Sequence, residues 1–290
     1  MKLLRHGPKG QERPALIDAQ GQWRDLGALL GDITPHTLSP ASLAALRGLD
    51  LGALPLVPEA ARGPLAVPWA GMGKFVCIGL NYADHAAEAG LPTPKEPILF
   101  MKPTSAAVGS QHAVVLPQGS AKADWEVELG VVIGRTARYV DEAQALQCVA
   151  GYCVVNDVSE REYQIERGGT WDKGKGCDTF GPVGPWLVTA DEVPDPQALH
   201  LWLDLNGQRR QQGNTRTMIF TVAQIVSYVS RFMTLYPGDL ISTGTPPGVG
   251  MGHKPAPLYL KPGDVMRLGV QGLGEQQQTV HAWNAALIDG

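Results

Sequence analysis

The apolar positions along this chain fall into short runs, and few repeat at helical spacing. Phe75–Gly79 is a short apolar run closing on Gly79-Leu80-Asn81-Tyr82, which predicts a strand. Glu126–Gly134 reads as a strand with carboxylates near its start and then apolar residues on both faces, the pattern of a buried strand. Gly151–Asp157 reads as another, ending in Asn156-Asp157. Leu199–Asn206 alternates apolar and polar residues and turns at Asn206-Gly207, a hairpin signal. Asp239–Thr243 and Val265–Val270 are late strands, the second preceded by the turn Pro262-Gly263-Asp264. Ala15–Asp18 and Trp23–Leu26 flank Ala19-Gln20-Gly21-Gln22 as a small hairpin.

Helical signals are sparse. Ser39-Pro40 opens a short helix through about Leu46, with Ser as N-cap and Pro at the first helical position. Thr221 caps a second, which carries Ile225, Val226, Val229, Phe232 and Met233 on one buried face until Pro237-Gly238 stops it. With 35 glycines and 23 prolines in 290 residues, turns and strands dominate. The expectation is a β-rich, mixed α+β fold. A proline-rich stretch from Pro55 to Pro68 divides residues 1–70, a small N-terminal α+β accessory domain and linker, from residues 71–290, the catalytic domain.

Composition narrows the function classes. Hydrophobic residues make up 44% and charged residues 18%, enough for a sizeable core. The net charge is −4 with no basic block, so the electrostatic footprint of a nucleic-acid binder is missing. No apolar run approaches the ~20 residues of a membrane span. Met1–Pro8 has no apolar core of a signal peptide. Together these point to the cytoplasm. Cys77, Cys148, Cys153 and Cys177 form no C-x-x-C pair and are expected as reduced thiols.

Candidate chemistry begins at Trp125-Glu126-Val127-Glu128. In a strand, residues i and i+2 share a face, so the two carboxylates project side by side and repel. Alone, the pair reads either as a solvated strand edge or as a buried site that needs a proton or a cation. Asp157, at the end of a second buried strand, adds a third hard oxygen donor. Three carboxylates suit Mg²⁺, Mn²⁺ or Ca²⁺ rather than Zn²⁺. If Asn81–Glu88 is helical, His85 and Glu88 are i, i+3 neighbours, and a carboxylate beside an imidazole prepares a general base. The same spacing also suits a solvated surface pair. Lys175 lies between Gly174 and Gly176, where the backbone is free to approach a ligand or to form a flexible loop. Thr243–Gly250 is a Gly/Thr/Pro loop after a strand, offering N–H groups and hydroxyls to an anion; it lacks a Walker ending. No G-x-G-x-x-G follows a strand, which weighs against nicotinamide and flavin cofactors.

In order, these pieces resemble the fumarylacetoacetate hydrolase family over roughly residues 74–284. The matching fragments are Gly79-Leu80-Asn81-Tyr82-x-x-His85-x-x-Glu88, Phe100-Met101-Lys102-Pro103, Glu126-x-Glu128, Asn156-Asp157-Val158-Ser159-x-Arg161-x-x-Gln164, Lys175-x-x-Asp178-Thr179-Phe180-Gly181-Pro182 and Thr243-Gly244-Thr245-Pro246-x-Gly248-Val249-Gly250. The resemblance implies a mixed β-sheet roll, a homodimer, and Mg²⁺ or Mn²⁺ held by Glu126, Glu128 and Asp157. It implies a catalytic dyad of His85 and Glu88 on a closing lid, with Lys175 stabilising an oxyanion. Arg161, Gln164, Lys175 and Thr245 would contact a small 2-keto acid. The activity it implies is C–C bond hydrolysis of a 2,4-diketo-3-deoxy sugar acid of the L-fuconate or L-rhamnonate type, giving pyruvate and a hydroxy acid such as lactate. Other readings on the same scaffold are an isomerase, a decarboxylase, another acylpyruvate hydrolase or a ureidoglycolate lyase. A catalytically silent binding protein is a reading of a different class.

Overall fold

The Val127–Ile133 strand is buried at every position, Glu128 included, as the apolar run that follows this carboxylate requires. A computed structural model describes residues 1–289 and sets this strand near the middle of a ten-stranded sheet. The order across the sheet is Trp23–Asp25, Arg13–Ile17, Lys2–His6, Gly181–Thr189, Val149–Asn156, Val127–Ile133, Leu240–Ser242, Phe75–Gly79, Ile98–Lys102. Ala107–Gly109 pairs in parallel with Gly181–Thr189 off this path. Val127–Ile133 runs antiparallel to both its neighbours, whereas Leu240–Ser242 and Phe75–Gly79 are parallel, so the sheet is mixed. The strand-rich, mixed α+β class expected from the sequence is the class observed.

Alternation sorts the two faces of this sheet. Val76, Ile78, Val131, Val154 and Ile241 pack on one face against a second sheet and the Val222–Val229 helix. Phe75, Cys77, Val132, Cys153 and Leu240 pack on the other against Leu3, Leu16, Leu43 and Leu46. Residues 1–70 are thus hydrogen-bonded into the main sheet, through Lys2 opposite Val188 and Leu3 opposite Leu187, and they cover one of its faces. Trp69 adds a tie, its indole N–H donating to the Gly238 carbonyl at 2.8 Å. The expected hairpin and the Ser39-capped helix, Pro40–Arg47, lie in this segment.

The second sheet runs Gln208–Asn214, His200–Leu205, Val265–Val270, Gly274–His281, Val114–Val115. Its first hairpin turns at Asn206 (φ 52°) and Gly207 (φ 76°), the two positive φ values that a two-residue turn of this hand requires. The Gly274–His281 strand carries Gln276 and Gln278 inward, fully buried. Gln276 donates to the carbonyls of Val154 and Gly184, and Gln278 to that of Ser110, so amides rather than methyls tie the sheets together here.

The helix after Thr221 is shorter than its apolar pattern suggests. A capping box of Thr221 and Gln224 starts it, but it ends at Val229. Ser230 turns its hydroxyl back to the Ser227 carbonyl, and the chain tightens into turns from which Phe232 emerges exposed and stacked edge-on to Tyr228. Phe232 and Met233 are therefore not part of the helical face. All four cysteines are free. Among the described residues, no helix is long and apolar enough to cross a membrane.

Candidate active site

The carboxylates are delivered by two paired strand ends. Glu128 lies opposite Val155 and Val127 opposite Asn156, so Asp157 follows on beside Glu126. The Asp157 N–H donates to the Glu126 carbonyl at 2.9 Å, and the Asn156 side chain accepts from the Glu126 N–H at 3.3 Å. As a result one carboxylate oxygen from each of Glu126, Glu128 and Asp157 falls within 4.8 Å of the others, with all three residues buried. Of the two readings the sequence left open, the solvated edge is excluded.

The surrounding charges do not balance. Arg161 donates to Asp124 at 2.8 Å and to Glu126 at 2.6 Å. Lys175 donates to Glu126 at 2.7 Å and Asp157 at 2.9 Å, and Lys102 lies 2.7 Å from Asp157. Four buried carboxylates (Asp124, Glu126, Glu128, Asp157) thus face three buried cations (Lys102, Lys175, Arg161). Among the described residues Glu128 is the one of the four without an ion-pair partner; it accepts from the Ser242 hydroxyl at 2.5 Å and the Gly244 N–H at 2.8 Å. Burial, then repulsion from Asp157 and Glu126, raise its carboxyl well above the usual range. Burial would also raise Glu126, but the charges of Lys175 and Arg161 outweigh it and hold that carboxyl down at about 2. Burial would lower Lys175, but Asp157 and Glu126 outweigh it and raise the ammonium.

A divalent cation fits this donor set. The donors are all hard oxygens, the cluster is one positive charge short of balance, and Asp157 Oδ1 receives no hydrogen bond among the described residues. A proton on Glu128 is the only other way to relieve the charge in place.

Lys175 is the last residue of a short helix, Asp172–Lys175, and is buried rather than on a flexible loop. The flanking glycines do not serve a ligand. A Cβ at Gly174 would strike the Glu160 carbonyl and the Gln164 N–H, and one at Gly176 would strike Pro103. They let this helix press against its neighbours and drive Lys175 inward. Gln164 sits in the turn of π-helix Glu162–Glu166 and accepts from Arg161 at 3.0 Å.

His85 and Glu88 lie on the predicted helix, Ala83–Ala89, with Nδ1 of His85 3.2 Å from Glu88 Oε2. Donation from Nδ1 leaves Nε2 as the basic atom. Glu88 also accepts from the Gly248 N–H at 3.1 Å, which ties this helix to the Thr243–Gly250 loop.

That loop does present N–H groups to anions, but the anions are the protein's own carboxylates. Gly244 donates to Glu128, Gly248 to Glu88, and Gly250 and Met251 to Asp124. Thr245 donates its hydroxyl proton to the Val127 carbonyl at 2.9 Å and accepts from Gln211 at 2.8 Å. One lone pair of that hydroxyl remains toward the cavity it lines.

His85, Glu88, Glu126, Glu128, Lys175 and Thr245 are among the residues that line one cavity of about 390 Å³. Asp157 is too deeply buried to line it. Sequence reasoning gave no role to Lys102, although it lies in the quoted Phe100–Pro103 fragment. It also passed over Asp124, two residues before Glu126, which anchors both Arg161 and the Gly250–Met251 turn.

The sequence pattern of the fumarylacetoacetate (FAA) hydrolase C-terminal family matches residues 74–281. A Burkholderia multivorans protein, provisionally named a hydrolase, is 64% identical over 97% of this chain and 99% of its own length. A fumarylacetoacetate hydrolase from Exiguobacterium antarcticum is similar in structure, with a TM-score of 0.84 and 35% identity over 98% of this chain and 100% of that one. Maleylpyruvate hydrolase from Sphingobium sp. SYK-6, solved with manganese(II) and pyruvate, gives 0.81 and 30% over 98% and 100%. A 2-hydroxyhepta-2,4-diene-1,7-dioate isomerase from Mycobacterium marinum gives 0.75 and 33% over 97% and 98%.

Proposed function

The chain belongs to the fumarylacetoacetate hydrolase family, and from that premise we propose that it is a divalent-metal-dependent hydrolase splitting a 2,4-diketo acid into pyruvate and a carboxylic acid. The observation that carries the reading is the convergence of three buried carboxylates, one positive charge short, two of which line a cavity that an imidazole–carboxylate pair also lines. The maleylpyruvate hydrolase solved with manganese and pyruvate supports it.

Glu126, Glu128 and Asp157 would hold Mg²⁺ or Mn²⁺. When bound, such an ion would supply the Lewis-acid charge that favours an anionic 2-keto acid and its enolate. His85, oriented by Glu88, takes a proton from water through Nε2. The water oxygen bonds to C4, the C3–C4 bond breaks, and its electron pair stays with C3. The proton returns to C3, giving pyruvate, and the C4 fragment leaves as a carboxylic acid. Lys175 commits two of its protons to Glu126 and Asp157 and keeps the third for the oxygen at C4, where one such donor is worth about 10²–10³ in turnover. Arg161 acts through Glu126 and Gln164, holding the first in place and fixing the amide of the second. The finer reading is a 2,4-diketo-3-deoxy sugar acid of the L-fuconate or L-rhamnonate type.

A pyruvate-release assay on both sugar acids, with Mg²⁺ and with EDTA in H₂¹⁸O, tests this. Metal-dependent pyruvate and ¹⁸O in the hydroxy acid are expected. Turnover unaffected by EDTA would overturn the metal role. The isomerase from Mycobacterium marinum favours a second reading, isomerisation of a 2-keto acid on the same scaffold. Conversion of such a compound without ¹⁸O uptake or pyruvate would establish it instead.

A further inference from the structure

Val127 stands between two of the clustered carboxylates, Glu126 and Glu128, and on one side its peptide groups have no strand beside them. There Val127–Ile133 pairs with Leu240–Ser242, Ile241 lying opposite Val131 and Ser242 opposite Gly130. Continued, this register would bring Thr245 opposite Val127. The ladder stops short of it. The Thr243 N–H still donates to the Leu129 carbonyl at 3.1 Å, but Gly244 turns away at φ 96° and gives its N–H to the Glu128 side chain. A buried peptide left open in this way needs partners from elsewhere.

Two side chains take the place of the missing strand. Thr245 donates its hydroxyl proton to the Val127 carbonyl at 2.9 Å, and the Val127 N–H donates to Gln211 Oε1 at 2.9 Å. Gln211 Nε2 donates in turn to the Thr245 hydroxyl at 2.8 Å and to the Pro246 carbonyl at 2.9 Å. The backbone fixes the sense of these bonds. An N–H only donates and a carbonyl only accepts, so Val127 and Pro246 together settle which end of the amide is oxygen. Nε2 then spends both its protons, and the Thr245 hydroxyl must accept one of them and pass its own to Val127. Gln211 reaches this point from the other sheet. In its hairpin Leu203 faces Gln211 and Asp204 faces Arg209, with Arg210 bulged between them. Bulges re-aim side chains. Arg209 is exposed in an ion pair with Asp204, whereas Gln211 is fully buried. The strand lies hard against the Thr243–Gly250 loop: a Cβ at Gly213 would strike Pro246, and one at Gly248 the Arg210 carbonyl.

We infer that Gln211 is a positioning residue for the carboxylate cluster: it clamps Val127, directly and through Thr245, and so sets the separation of Glu126 and Glu128. It also turns the Thr245 hydroxyl so that this group meets the cavity as an acceptor. The consequence for metal affinity rests on the metal-dependent reading above; the clamp itself does not.

Mn²⁺ titration followed by electron paramagnetic resonance, with urea unfolding in EDTA, tests this on the full chain. Gln211→Met keeps the volume but can neither clamp the Val127 N–H nor donate to Thr245. Its Mn²⁺ Kd should rise about tenfold or more, the usual cost of losing a group that orients a metal ligand, although no carboxylate has changed. A lowered urea midpoint with a wild-type Mn²⁺ Kd would make Gln211 a tie between sheets and overturn the proposal. Should Gln211→Met fail to fold, Thr245→Val removes the other bond to Val127: a raised Mn²⁺ Kd supports the clamp and an unchanged one refutes it. Hydrogen exchange in EDTA reads the clamp without the metal. In Gln211→Met the Val127 amide should exchange faster relative to that of Val131, which sits in the paired part of the strand. An unchanged ratio refutes the clamp. A wild type that binds no Mn²⁺ would refute the metal reading and the effect on affinity with it, and the exchange ratio would still decide the clamp.

Discussion

Lys102 Nζ stands 2.7 Å from Asp157 Oδ1, with both side chains closed to solvent, yet it gives that oxygen no hydrogen bond. Its three protons go to the carbonyls of Val158, Lys175 and Phe180. The ammonium thus neutralises Asp157 by proximity while fastening three segments around it. It also leaves Oδ1 open to a further partner.

Lys102→Met should therefore be severely destabilising. It leaves Asp157 with Lys175 as its remaining cation among the described residues and strands three carbonyls in the interior, and breaking a buried ion pair costs about 3–5 kcal/mol. Lys102→Arg should not restore stability, because a planar fork cannot reproduce three diverging donors. Urea unfolding in EDTA measures this; a loss below about 1 kcal/mol for Lys102→Met would show that water or a neighbour replaces the ammonium.

Glu128→Gln separates stability from metal binding. The amide keeps the shape but removes the ionisable group that burial, Asp157 and Glu126 disfavour. The metal-free variant is expected to unfold at higher urea than the wild type. The stabilisation that Mn²⁺ confers on the wild type by mass action should be lost. If Mn²⁺ protects both proteins equally, the carboxylate cluster is not the metal site.

Much of this site was legible from the chain because its signals are local. Glu126 and Glu128 share a face by strand alternation, and His85 and Glu88 share one by helical spacing. Their convergence with Asp157 depends on a long-range register, Glu128 opposite Val155, that no local pattern encodes. Gly174-Lys175-Gly176 suggested mobility because the packing partners of its glycines, Glu160 and Pro103, lie far off in sequence. The Gly274–His281 strand carries no apolar alternation because its inward residues, Gln276 and Gln278, are polar, and it is the carbonyls of Val154 and Ser110 that explain their burial. The helix after Thr221 is shorter than its apolar pattern because Phe232 keeps helical spacing after the backbone has left the helix.

The His85–Glu88 pair predicts a kinetic signature distinct from that of the cluster. His85→Ala should lower kcat by about 10²–10⁴, the usual contribution of a positioned general base. Glu88→Gln should cost less, since it loosens the imidazole and the Gly248 tie without removing the base. Both variants should bind Mn²⁺ as the wild type does by electron paramagnetic resonance. Weakened Mn²⁺ binding in both would move the pair into the coordination shell.

His6 predicts the acid side of the stability profile. It closes the Lys2–His6 strand, its ring tilted against Trp23 at 5.3 Å, and Nδ1 accepts from the Gly63 N–H at 3.4 Å. Burial lowers its pKa below 6.5; Asp25 opposes this, while Arg13 and Arg62 add to it. The folded state then binds fewer protons at this position than the unfolded chain, so stability rises with pH across the window and falls on acidification. The loss should begin as pH drops through about 6.5, where the unfolded histidine takes its proton, and level off once the folded imidazole is also charged. Urea midpoints from pH 8 to pH 5 should decline for the wild type, with a shallower slope for His6→Gln, which keeps an acceptor for Gly63 but cannot titrate. Equal slopes in the two proteins would assign the acid sensitivity elsewhere, and an inverted slope would mean that Asp25 controls this imidazole.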